Sequence, residues 1–186
     1  MSLINKVTVN SHYPRSINLT RDADSTAITK SYIPTSRALK TLHQISDSLL
    51  QDEAPRAWSL VGPYGSGKSS FAVFLSHLLS NEKHPARKAA YQVLGKSSKE
   101  LSNSYGSLVD NNSGYCIVLL TGSPDSLSKS LVSSLSCSAN TIWETRKGKK
   151  PEVLKILSHY ASQSEPPKVG EILDAIQALQ NALHKI

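Results

Sequence analysis

Gly62-Pro63-Tyr64-Gly65-Ser66-Gly67-Lys68-Ser69 is the stretch on which the reading of this chain turns. It fits G-x-x-x-x-G-K-[ST], the pattern of a loop that wraps a polyphosphate. The chemistry requires this spacing. A triphosphate is a dense cluster of negative charge, and glycines at 62, 65 and 67 let the backbone take positive φ and turn successive N–H groups inward. A helix opening at about Lys68 adds the positive end of its dipole. The Lys68 ammonium is expected to reach the β- and γ-phosphates, and the Ser69 hydroxyl to ligate Mg²⁺. The candidate ATP-binding residues are therefore Gly62, Pro63, Tyr64, Gly65, Ser66, Gly67, Lys68, Ser69 and Ser70, with Ser69 the candidate metal ligand.

The flanks agree with the motif. Ala57-Trp58-Ser59-Leu60-Val61 is a short apolar run of the kind a buried strand presents. After the loop, apolar residues at 71, 74, 75, 78 and 79 recur at helical spacing. Strand, glycine loop and helix is the order a phosphate loop needs. Upstream, the periodicity predicts a helix over 36–50 with Leu39, Leu42, Ile45, Leu49 and Leu50 on one face, capped by Thr35 or Ser36.

Downstream, helices are expected over 86–94 and 98–109, broken at Gly95-Lys96-Ser97-Ser98. A turn is expected at Asn111-Asn112-Ser113-Gly114. Tyr115-Cys116-Ile117-Val118-Leu119-Leu120-Thr121 reads as a second strand, continuous and apolar as a doubly covered parallel strand would be. Helices follow over 126–136, 151–160 and 169–186, the last with Ile172, Leu173, Ile176, Leu179 and Leu183 on one stripe; Thr141-Ile142-Trp143 reads as a short strand or a helix end. Residues 1–34 read as an irregular segment, with weak strands at Lys6–Val9 and Arg15–Leu19 and a turn or cap around Asp22 and Asp24. The implied organisation is α/β: a parallel sheet flanked by helices over 35–186, as in P-loop nucleotide hydrolases, and incomplete.

Composition bounds the partners. The net charge is +7 and the pI about 9.4, which favours an anionic partner, nucleotide or nucleic acid. The basic residues are scattered apart from Arg146-Lys147-Gly148-Lys149-Lys150. Cys116 and Cys137 have no metal-ligand spacing and suggest no disulfide framework, so a reducing cytoplasm is the expected compartment. No run approaches a membrane span, and no membrane partner is expected.

One part is missing. Phosphate loops usually work with a later strand ending in an acid that holds Mg²⁺ through water. Here that strand ends Leu119-Leu120-Thr121-Gly122, and Asp110, Asp125 and Asp174 stand in the wrong places. No catalytic residue is assignable. The expectation is that hydrolysis needs residues beyond this chain, which reads as the N-terminal part of a longer ATPase.

Arg56 to Phe71, with Tyr32-Ile33-Pro34-Thr35 upstream and Leu119-Leu120-Thr121-Gly122-Ser123 downstream, resembles the start of large bacterial AAA-like ATPases, which are often encoded beside antiviral defence genes. The resemblance covers about residues 15 to 160, and its specific part is the phosphate loop. It implies ATP and Mg²⁺ as ligands, an adenine pocket at Tyr32, Ile33 and Pro34, and self-association or a larger ATPase assembly. Two other classes fit some of the residues. A small P-loop kinase would use Arg146, Lys147, Lys149 and Lys150 as a lid. A basic DNA-associated domain with a vestigial loop would bind DNA in a salt-dependent way, without regard to nucleotide.

Overall fold

The computed structural model describes residues 16–51, 53–110, 114–122, 124–144 and 149–184. The expected strand at Lys6–Val9, Arg15, most of the turn at 111–114, and Arg146 and Lys147 lie outside these. Eight helices form among the described residues: α1 (Thr26–Ser31), α2 (Ser36–Leu50), α3 (Lys68–Leu79), α4 (Arg87–Ser97), α5 (Lys99–Asp110), α6 (Leu127–Glu144), α7 (Val153–Ser162) and α8 (Val169–His184).

The described residues contain no strand and no sheet, which overturns the α/β, parallel-sheet expectation. The reason lies in what the two apolar runs touch. A parallel strand is stabilised by neighbours on both edges and cover on both faces. Ala57 to Val61 has neither: its backbone makes no hydrogen bond among the described residues, and Val61 is 91% exposed. Tyr115 to Leu120 is half-buried, but its carbonyls are taken by hydroxyls instead of a ladder. Ser138 donates to the Ile117 carbonyl, and Ser134 donates to that of Leu119 at 3.5 Å. The serines of α6 thus do the work of a missing strand. Residues 16–19 likewise form no strand.

The described chain divides into two compact units at Tyr115/Cys116. In the first, α2, α3, α4 and α5 enclose one core, built from Leu42 and Ile45, Phe71, Phe74 and Leu78, Ala90 and Leu94, and Leu101, Tyr105 and Leu108. Spacings of three and four carry those side chains to one face of each helix. Tyr105 is fully buried, and its hydroxyl donates to the Leu42 carbonyl at 2.9 Å, so the one polar atom it brings inside is satisfied. Leu50, expected on the core face of α2, is instead exposed. Thr35 caps α2, its hydroxyl accepting from the Ala38 N–H at 3.2 Å. Gly95 lies inside α4 and breaks nothing; the break falls at Ser98, whose hydroxyl accepts from Leu101 N–H. α1, in the stretch read as irregular, is capped by Ser25.

In the second unit α6, α7 and α8 pack on one another through Leu135, Ala139, Trp143, Leu154, Leu157, Ala175 and Leu179. Thr141 to Trp143 is the last part of α6. The buried stripe of α8 is Ile172, Ala175 and Leu179, while Leu173 and Ile176 face out. A stripe drawn through every large apolar residue was too wide; the small Ala175 sets its true centre.

Candidate functional site

The loop from Gly62 to Gly67 delivers the chain into α3. Gly65 and Gly67 both take positive φ, +80° and +82°, which a side chain would resist. Gly67 is the N-cap of α3 and has no side-chain cap, so the first-turn N–H groups of a twelve-residue helix stay open. No acid stands in that turn. Lys68 occupies it instead, a position where the helix dipole disfavours a cation by a few tenths to about 1 kcal/mol.

The Lys68 ammonium folds back over the loop. It donates to the Gly62 and Pro63 carbonyls, both at 2.8 Å, and to the Ser66 hydroxyl at 3.3 Å. All three of its protons are engaged. The Ser66 N–H donates to the Pro63 carbonyl at 3.3 Å, which tightens the turn.

Beside the loop lies a cavity of about 570 Å³, within the range of small-ligand sites. Gly62, Pro63, Gly65, Ser66, Gly67, Lys68 and Ser70 line it. Tyr64 and Ser69 do not: Tyr64 is 91% exposed, and its hydroxyl pairs with that of Ser16 at 2.6 Å. Of the residues expected at an adenine pocket, Tyr32 and Ile33 line this cavity and Pro34 does not. Sequence reasoning missed Arg37, Ala38 and Thr41 of α2, and Leu60, Val61 and Phe71. Ala38 lies on the core face of α2, four residues before Leu42 and seven before Ile45, and packs against that core; Arg37 and Thr41 stand at the edge of the same face, where it meets the cavity.

The cavity lining is of two chemical kinds. Ile33, Leu60, Val61, Ala38 and the Tyr32 ring are apolar. The loop backbone, Ser66, Ser70, Lys68 and Arg37 are polar or cationic. Arg37 and Lys68 are the two charged groups on the wall, and no carboxylate among the described residues lines it.

The apolar lining is anchored from below. The Tyr32 ring stacks on Phe74 of α3 with centroids 4.5 Å apart. One turn further along α3, His77 is buried and ties α1 in place. Its Nε2 faces the Ala23 carbonyl, which can only accept, so Nε2 carries the proton; the Thr29 hydroxyl then donates to Nδ1. Burial lowers the His77 pKa, the Ala23 bond partly offsets this, and His84, its ring 4.9 Å away, lowers it further. Asp24, paired with His84 at 3.1 Å, acts the other way.

Mg²⁺, implied by the resemblance, finds a poor donor set. Ser69 is not on the cavity wall. Among the described residues no three His, Cys, Asp or Glu side chains gather to hold a metal ion. Hard divalent cations need several oxygen ligands, usually including carboxylate. Asp125 and Asp174 are exposed and belong to the second unit, and Asp22 accepts from the Asn18 N–H inside a turn. No helix among the described residues is long and apolar enough to cross a membrane.

Comparison with protein-family models, with curated proteins and with solved structures returns no match.

Proposed function

We propose that this chain binds a nucleoside triphosphate, with ATP the expected ligand, as the nucleotide-binding module of an AAA-like ATPase. One observation carries the reading. The glycine loop, the open start of α3 and Lys68 border the same cavity as Tyr32 and Ile33, so groups suited to phosphate and groups that are apolar and aromatic share one space. A nucleotide has a part for each. In this reading the phosphates lie on the backbone from Gly62 to Ser70 and the base lies toward Tyr32 and Ile33. The chain's own contribution is binding and orientation. Turnover by this chain alone is expected to be very slow, because no cavity residue is placed to activate water.

The test is calorimetric titration of ATP and ADP into the protein and into Lys68→Ala. Charge-assisted hydrogen bonds contribute about 1.5–3 kcal/mol, so the variant should bind about ten- to a hundredfold more weakly. Equal affinity in the two proteins would refute the site. Brisk ATP hydrolysis by the chain alone would refute the division of labour.

A further inference from the structure

We propose that Arg37 is the second phosphate-binding cation of this cavity, and that the terminal phosphate is held by Arg37 instead of by a protein-held divalent ion. The inference rests on the nucleotide reading and adds which ionic form the site takes. Three observations lead to it. The cavity wall carries two cations and, among the described residues, no carboxylate, so its field favours the ligand form with the most negative charge. Lys68 is already engaged by the loop, whereas the Arg37 guanidinium makes no hydrogen bond or ion pair with any described residue. Finally, α2 shares one feature with α3, a cation in its first turn, although its start is capped by Thr35 where that of α3 is open. It is a fifteen-residue helix with no acid in its first turn and an arginine there, at the end its own dipole makes unfavourable for a cation. Two helices therefore bring their positive ends and one cation each to a single cavity.

The roles follow from how each cation is held. Lys68 is bound to the loop and Arg37 belongs to α2, so in this proposal the phosphates on the loop meet Lys68 and the terminal one meets Arg37. A guanidinium fork matches two phosphate oxygens at once. Arg37 then reads the presence of the third phosphate, separating triphosphate from diphosphate. Magnesium bound to the ligand would neutralise the charge that Arg37 is there to meet.

The experiment is titration of ATP and ADP, each with EDTA and with excess MgCl₂, into the protein and into Arg37→Gln and Arg37→Lys. Arg37 is exposed, and far-ultraviolet circular dichroism checks that each variant is folded. The metal-free ATP should bind at least as tightly as its magnesium form. Arg37→Gln should weaken ATP about tenfold and ADP threefold or less, with Arg37→Lys between. Binding that requires magnesium, or an ATP-to-ADP preference unchanged by Arg37→Gln, overturns this inference and leaves the nucleotide site standing. No binding of either nucleotide under any condition overturns both.

Discussion

Replacing Gly114 with alanine tests the packing under the first unit's core. Gly114 has φ +88°, and a Cβ built there would lie 2.5 Å from the Asn81 nitrogen, 2.6 Å from its Cα and 2.9 Å from the Ser80 carbonyl carbon. All three are backbone atoms, which cannot swing aside. The left-handed conformation alone costs an L-residue about 1–2 kcal/mol. Overpacking against backbone adds about 1–3 kcal/mol. The neighbouring bond from the Tyr115 N–H to the Leu79 carbonyl, 2.9 Å long, is lost if the segments part, for about 1 kcal/mol more. The expected loss is about 3–6 kcal/mol, a drop in urea midpoint of roughly 2 M. Gly65→Ala and Gly67→Ala are the controls. Their φ values are nearly the same, but nothing lies within 4 Å of either added Cβ, so each should cost about 1–2 kcal/mol. Urea unfolding followed by far-ultraviolet circular dichroism measures all three. A Gly114→Ala loss no larger than that of Gly67→Ala would mean that the two backbones do not meet as described.

Two further outcomes are expected. His77, with its pKa held below the usual 6.5, is neutral in the folded chain at a pH where the unfolded chain already takes a proton. Stability is therefore full above about pH 6.5 and falls below it, by up to about 1.4 kcal/mol per pH unit until the folded pKa is passed, and His77→Gln should flatten that slope in urea midpoints at pH 7.5 and 5.5; parallel slopes would remove His77 as the cause. Burial pushes the Cys116 thiol up to about 11, whereas Cys137 is exposed. Intact mass after brief alkylation at pH 8 should thus show one label on the native protein and two after denaturation, and rapid double labelling of the native chain would contradict that burial.

The helices were more legible than the layers. α2 is bounded by Ser36 and Leu50 as its apolar period and the Thr35 cap require, because both signals are local. The loop-to-helix join at Lys68 was legible for the same reason. The sheet was not, because being a strand depends on neighbours and Ala57 to Val61 finds none among the described residues. α1 escaped because six residues are too few to show a period. At the site, Tyr32 and Ile33 were pointed to by the resemblance to AAA-like ATPases and not by their own pattern. Arg37 and Thr41 were not pointed to at all, since nothing in a linear reading says which side of α2 faces the cavity.

The engaged lysine has one more implication. Because Gly62, Pro63 and Ser66 already occupy the Lys68 ammonium, an arriving ligand must outcompete the protein's own oxygens to gain that contact. A carbonyl dipole is a weaker rival than a phosphate but a fair match for a single diffuse charge. Chloride or a lone carboxylate gains little from the exchange, whereas an oligophosphate brings several charges to the trade. If the loop binds an anion as proposed, it acts as a threshold that favours multivalent anions over the common small ones of the medium.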